Sequence, residues 1–330
     1  MTRVLVTGAA GFLGYHVSRR LLESGCSVLG VDNLNSYYDP RLKRARLALL
    51  EPDPRFQFLR LDLADRRRAE ALFEPERFEA IVHLAAQAGV RYSIENPHAY
   101  IEANITAFLH VLEGMRRGAA AHLIYASSSS VYGGNRKVPF AVEDRCDQPV
   151  SLYAATKRAD ELMTHCYAHQ FGIAATGLRF FTVYGPWSRP DMAPYRFARA
   201  IERGGTIDIY NYGRMQRDFT YVEDVAEGVF RVLQGGGGGH RLFNLGGSAP
   251  VGLMEFVHEL ERALGKRARR RFLPMQAGDV PVTHADSADF ERTTGFRPAT
   301  PLRVGVEKFA AWFREWSPAR ARTESVGAAS

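Results

Sequence analysis

Over the first 180 residues, short runs dense in Val, Ile and Leu take turns with longer stretches whose apolar positions recur three and four residues apart. The runs at 3–8 (RVLVTG), 27–32 (SVLGVD), 56–63, 79–86 and 122–128 predict strands. The stretches at 12–25, 97–117 and 152–172 predict helices that mostly end in Gly or Arg. Strands alternating with helices in this way imply an α/β architecture around a doubly wound parallel sheet. After 173–185 the regularity fades into Pro- and Gly-punctuated loops, with a helical stretch near 222–234, a glycine run at 235–239 and mixed elements to about 316. That second part predicts a smaller C-terminal α/β lobe packed on the first. The last segment, 317–330, is expected to be disordered, and no internal repeat is found.

Composition narrows the class without choosing a function. With 330 residues, 46% hydrophobic and 24% charged, the chain can bury one large core or two modest ones. No apolar run reaches membrane-spanning length, and the N-terminus enters a strand and turn directly, so no membrane association and a cytoplasmic location are expected. Cys26, Cys146 and Cys166 are scattered, odd in number and without metal-ligand spacing, which argues against a zinc site or a disulfide frame. The net charge of +7 does not imply nucleic acid: only five of the 43 basic residues are Lys, and the Arg are spread along the chain. The dense cluster at 265–272 (GKRARRRF) lacks any interleaved stacking platform and reads as a solvated edge. A basic excess also suits a small, multiply anionic substrate.

The first turn carries the clearest chemistry. VTGAAGFLG places Gly8, Gly11 and Gly14 after a strand and at the start of a helix, where glycines permit a tight turn and close approach of a pyrophosphate to the helix N-terminus. Asp32 ends the second strand, 18 residues after Gly14, where a carboxylate can accept hydrogen bonds from ribose hydroxyls and repel a 2′-phosphate. NAD is therefore expected over NADP. Farther on, SLYAATKRADEL sets Tyr153 and Lys157 four apart on one helical face. Spacing alone would leave them as two surface neighbours.

Gly at 8, 11 and 14, with HLAAQAG at 83–89 and the Tyr-x-x-x-Lys pair, resembles the extended short-chain dehydrogenase/reductase family over residues 1 to about 315. The resemblance implies a Rossmann sheet and makes Tyr153 the catalytic base, Lys157 its ribose-binding activator and Ser128 the third catalytic hydroxyl. A phenol with an ordinary pKa near 10 needs such adjacent positive charge to act as a base at neutral pH. Hydroxyls as crowded as Ser127–Ser130 also need partners when buried. The same resemblance implies cofactor contacts from Phe12, Leu13, Asn33, Asp62, Leu63, Leu84, Ala85, Ala86, Gln87 and Asn104. On it, residues 1–178 with a return segment at about 221–245 form the NAD-binding domain, and 179–220 with 246–316 the UDP-sugar lobe.

Dehydratases of this superfamily carry Asp-Glu after the catalytic Thr, and the related decarboxylases commonly a Glu before Val-Tyr-Gly; here Ser129 and Ser130 stand there instead. Elimination is disfavoured and reversible oxidation at one carbon favoured. DNLNSYYDPRLKRARL, HLAAQAGVRYSIENP, RFFTVYGPWSRPDMA, TIDIYNYGRMQRDFTYVEDV and PMQAGDVPVTHAD together resemble the UDP-glucuronate 4-epimerases. That likeness implies UDP-glucuronate and UDP-galacturonate as substrates and a homodimer paired through the helices at 98–117 and 151–171. It also implies Arg217, Arg189 and Arg91 at the diphosphate and Asp279 at the uridine ribose. Arginine forks suit such phosphates. Oxidising C4 of a glucuronate makes a β-keto acid that loses carbon dioxide if its carboxylate aligns with the ketone. Short neutral donors, Ser129 or Ser130 and Thr182, are expected to hold that group out of alignment. The alternatives left by the sequence are a decarboxylase and a neutral UDP-hexose 4-epimerase. Tyr37-Tyr38-Asp39-Pro40 reads as a turn into a basic helix near the cofactor.

Overall fold

The computed structural model describes residues 2–74, 77–276 and 279–316, so the expectation for 317–330 lies outside the described residues. In its first part the chain runs β1 (Arg3–Thr7), α1 (Phe12–Glu23), β2 (Ser27–Asp32), α2 (Pro40–Leu50), β3 (Phe56–Arg60), α3 (Arg66–Phe73) and β4 (Phe78–His83). Two short helices follow, α4 (Tyr92–Glu95) and α5 (Pro97–Tyr100), then a π-helical segment Ile101–Thr106 that passes into α6 (Ala107–Arg116). β5 (Ala120–Ser128), α7 (Leu152–Phe171) and β6 (Ala175–Phe180) complete this run. The predicted helices at 12–25 and 152–172 thus form, whereas that at 97–117 is interrupted by the π segment, which no apolar period distinguishes from an α-helix.

Beyond it come β7 (Thr182–Tyr184), α8 (Ala193–Glu202), β8 (Thr206–Ile209), β9 (Gln216–Tyr221), α9 (Val222–Gln234) and β10 (His240–Leu245). The chain continues through β11 (Pro250–Gly252), α10 (Leu253–Leu264), β12 (Arg269–Phe272), α11 (Ala288–Thr294) and α12 (Leu302–Trp316). The second part is more regular than its loop-rich sequence suggests, because strands of three to six residues leave too short a pattern to read.

Seven parallel strands form the main sheet in the order β10-β6-β5-β4-β1-β2-β3. Its inner strands are buried on both faces, as a parallel sheet with helical crossovers requires, while the edge strand β3 leaves Gln57, Leu59 and Arg60 exposed. Within β1, Val4 and Val6 pack into the core that contains Tyr15, Leu21 and Val229, while Leu5 joins the opposite core with Leu72, Phe108 and Val111. The order reverses between β1 and β4, so the crevice beyond their carboxyl ends is the place where such a sheet takes a ligand. A three-stranded sheet, β11-β9-β7, and a two-stranded one, β12-β8, lie in the second part. Among the described residues, no helix is long and apolar enough to cross a membrane.

Candidate active site

The glycine turn is shaped by close contacts that exclude side chains. Gly8 turns at φ 70°, and the amides of Gly8 and Ala9 donate to the Val31 carbonyl at 2.7 and 3.1 Å, pinning the turn to the end of β2. A Cβ on Gly8 would sit 2.8 Å from the Ala85 nitrogen, and one on Gly14 would run into the Gly8 carbonyl oxygen. Gly11 precedes α1 without a side-chain cap, which leaves first-turn N–H groups for an anion. Gly8, Gly11, Phe12, Leu13 and Gly14 line a cavity of about 410 Å³. Asp32, Asn33, Asp62, Leu63, Leu84, Ala85, Ala86 and Gln87 line it as well, so this wall fits a dinucleotide. Asp32 does double service, because its Oδ1 accepts the Leu34 amide at 2.8 Å and lies 3.7 Å from Lys43 Nζ.

Asn104, assigned to the cofactor from sequence, is not on this wall but behind it. Its Oδ1 accepts the Gln87 amide at 2.8 Å, and its Nδ2 donates to the Gln87 carbonyl at 3.1 Å and to Thr156 Oγ1 at 2.9 Å. The π-helical turn presents this amide to three partners at once, and an amide buried there must meet them.

The opposite wall belongs to α7 and the end of β5. Ser151 Oγ accepts the Ala154 amide at 3.1 Å and caps α7, putting Tyr153 in its first turn and Lys157 one turn on, both lining the cavity. Lys157 is buried, with Nζ 3.1 Å from Asp160 Oδ2. Glu161 anchors the helix to the sheet: it accepts from Arg179 of β6 at 2.8 and 2.9 Å and from Ser127 of β5 at 2.6 Å. Burial alone would push the Glu161 carboxyl up, but the Arg179, Ser127 and Arg158 donors outweigh it and hold it below the usual range. Ser127 is thereby tied to Glu161. Ser128 Oγ donates to Ser130 Oγ and accepts the Ser130 amide, each at 3.1 Å, in a turn that brings Ser128, Ser129 and Ser130 to the cavity.

Thr182 and Arg189 border the same cavity, whereas Arg91, Arg217 and Asp279 do not. These three form a separate group. Arg91 lies 3.7 Å from Asp279 and over the Tyr210 ring at 5.3 Å, and Arg217 donates to the Gln216 and Pro281 carbonyls at 2.9 and 3.2 Å. Burial lowers the Arg217 pKa, with Asp279 opposing. Arg189 instead donates to Asp191 Oδ2 at 3.1 Å, and Tyr37 donates to the same oxygen at 3.1 Å. That bridge joins the segment after β2 to the loop after β7.

The Tyr37-Tyr38-Asp39-Pro40 stretch acquires a role that sequence reasoning missed. Asp39 Oδ1 accepts the Arg41 amide at 2.9 Å and caps α2, with Pro40 in its first turn. Arg46 on α2 is fully buried and donates to Tyr38 OH at 2.8 Å, to the Ala10 carbonyl of the glycine turn at 2.8 Å and to the Trp187 carbonyl at 2.6 Å. The Asp-Pro cap was a readable signal for the helix; nothing local announced the buried guanidinium.

Residues 4–246 match the model of the NAD dependent epimerase/dehydratase family. The chain is 46% identical to a probable UDP-glucuronate 4-epimerase of Rhizobium meliloti, over 94% of this chain and 96% of that one. It is 48% identical to UDP-glucuronate 4-epimerase 3 of Arabidopsis thaliana, over 94% of this chain and 76% of the plant protein. The crystal structure of Bacillus cereus UDP-glucuronic acid 4-epimerase with UDP-glucuronic acid and NAD superposes with a TM-score of 0.89 at 32% identity, covering 95% of this chain and 99% of that one. With its glycine cradle, its Tyr153 and Lys157 wall and a family match across most of its length, the chain belongs to the NAD-dependent epimerase/dehydratase family.

Proposed function

We propose that the protein is an isomerase that interconverts UDP-glucuronate and UDP-galacturonate by reversible oxidation at C4, on an NAD it holds throughout. One observation carries this reading. Ser128, Ser129, Ser130 and Thr182 line the same cavity as Tyr153 and the glycine cradle, and the serine turn contributes hydroxyls where elimination or acid-assisted decarboxylation would use a carboxyl group.

The roles follow from position. Tyr153, as phenolate beside Lys157, takes the C4 hydroxyl proton, and Ser128 donates to the oxygen as it becomes a carbonyl. NAD bound in the cavity supplies the acceptor and then the donor of the C4 hydrogen. Between the two transfers the 4-keto sugar turns over about its diphosphate, so the UDP must stay anchored while the ring moves. Arg217, Arg91 and Asp279 are assigned to that anchor. Ser129 or Ser130 and Thr182 are assigned to the sugar carboxylate, and Arg189, which borders the cavity and donates to Asp191, to the nucleotide diphosphate. Residues 1–178 and 221–245 are assigned to the cofactor, and 179–220 and 246–316 to the UDP-sugar.

A cytoplasmic homodimer completes the proposal. Exposed Ile101, Leu109, Leu162 and Phe171 lie on the π segment, α6 and α7, where a second copy would cover them.

The test is to incubate the purified protein with UDP-glucuronate, without added cofactor, and follow products by mass spectrometry and proton NMR. An isomer of unchanged mass with the galacto H4 coupling is expected. Loss of the mass of carbon dioxide would make the protein a decarboxylase, and no conversion would sink the reading.

A further inference from the structure

Lys157 has a second partner that the reaction described above does not use. Asp160 lies one turn farther along α7, its Oδ2 3.1 Å from Lys157 Nζ, with the two side chains 1% and 2% exposed. No other carboxylate forms an ion pair with Lys157 among the described residues. The neighbouring acid, Glu161, is spent on Arg179, Arg158 and Ser127. Asp160 Oδ1 has no hydrogen-bond partner among the described residues, so nothing but Lys157 holds this carboxylate in place.

The remaining polar groups that face the pair leave this picture intact. His83 of β4 is buried and hydrogen-bonded to Thr7 at 2.9 Å; burial first, and then the Lys157 charge, keep its imidazole neutral down to about pH 3. Tyr125 of β5 is buried and stays a phenol, its pKa raised by burial and then by Glu161. Tyr153 sits one turn before Lys157 on the same helix, with the Tyr100 ring 6.2 Å from its own and the Arg189 guanidinium as a second positive charge acting on it, both unchanged by a substitution at Asp160. Lys157 therefore stands between a phenol that must ionise and a carboxylate buried at its back.

We propose that Asp160 is a positioning residue that offsets part of the Lys157 charge and thereby sets the base strength of Tyr153. An unopposed buried ammonium would hold the phenolate so firmly that it formed at low pH yet took the C4 proton poorly, since general-base strength falls with pKa. An epimerase needs the same phenol to accept and return a proton in every turnover, so an intermediate base strength serves both halves of the cycle. When Tyr153 is protonated, Asp160 is also the counterion that keeps Lys157 charged. Burial outweighs the Lys157 charge and raises the Asp160 carboxyl to about 7, so the negative charge it sets against Lys157 grows as the pH rises through neutrality.

This inference rests on the epimerase reading, and its test separates the two. Tyr153 ionisation is read by ultraviolet difference titration, subtracting a Tyr153→Phe counterpart, in the parent and in Asp160→Asn. Removing the carboxylate is expected to move the Tyr153 titration down by about one pH unit. The acid limb of kcat against pH should move with it, the plateau kcat should fall severalfold, and KM should stay unchanged, because Asp160 is kept from the substrate by Lys157. Asp160→Glu should restore most of the titration. An unmoved Tyr153 titration in a folded Asp160→Asn protein overturns the proposal and leaves the epimerase reading standing. Absence of turnover in the parent overturns that reading while the titration can still be measured. Should Asp160→Asn not fold, a protein that keeps Asp160 answers by itself: with five lysines in the chain, carbon-13 labelling at Cε gives few resonances. In the Tyr153→Phe protein that of Lys157 must shift as Asp160 titrates, and a resonance with no such inflection refutes the ion pair.

Discussion

A methyl group added to Gly14 would meet the Gly8 carbonyl in a turn already pinned to β2, so backbone has to move. Gly14→Ala is expected to cost about 3 kcal/mol, at the upper end of ordinary overpacking, and to leave purified protein with substoichiometric NAD. Urea melts and the absorbance of an acid extract measure the two effects; a variant that kept full NAD and stability would contradict the cradle. Residues of this kind are legible in sequence, because glycine spacing encodes backbone conformation directly. Tyr153 and Lys157 were legible only through the family resemblance, because four residues along one helix marks nothing more than neighbours on a face. Asp160, Glu161 and Arg46 were not. Their importance comes from burial and from partners such as Arg179 and Trp187 far along the chain, which no local pattern displays.

Among the elements, α7 shows how a catalytic helix is held. Its Glu161 reaches both β5 and β6 through Ser127 and Arg179, so the helix face bearing Tyr153 and Lys157 is referenced to the sheet and not to solvent. Glu161→Ala would strand the buried Arg179 guanidinium without its carboxylate, and breaking such a pair costs about 3–5 kcal/mol. The loss should appear as a lower urea midpoint, and a midpoint unchanged within error would count against the anchor. The boundaries of α7 follow from apolar period with the Ser151 cap and the left-handed Gly172, and those of α9 from apolar period alone. The π-helical turn at Ile101–Thr106 could not be read this way, because its extra residue per turn answers to the three partners of Asn104. The short strands of the second lobe were hidden by length alone.

Across the whole molecule, buried imidazoles dominate the response to mild acid. His16 ties α1 to the Pro186 carbonyl at 2.9 Å, and burial keeps both His16 and His83 neutral down to about pH 3. Burial likewise pushes His122 and His240 to about 4. Unfolded imidazoles protonate near 6.5, so the unfolded chain binds more protons between those limits. Stability is then complete above about pH 6.5 and declines as the pH falls, by up to about 1.4 kcal/mol per fully buried histidine per pH unit. Asp160 and Asp218, whose carboxyls burial raises, act the other way but are outnumbered. Thermal melts should show Tm dropping between pH 6.5 and 5, and a flat profile there would contradict the dominance of these imidazoles over the raised carboxyls.

The bridge of Tyr37 and Arg189 on Asp191 has a consequence for cellular economy. In the proposed cycle a dinucleotide retained in the cavity that Tyr37 and Arg189 border would be oxidised again within each turnover, without exchanging electrons with the surrounding pool. Sugar interconversion would then proceed at the same pace in starved, fermenting or respiring cells, indifferent to how reduced their nicotinamides have become.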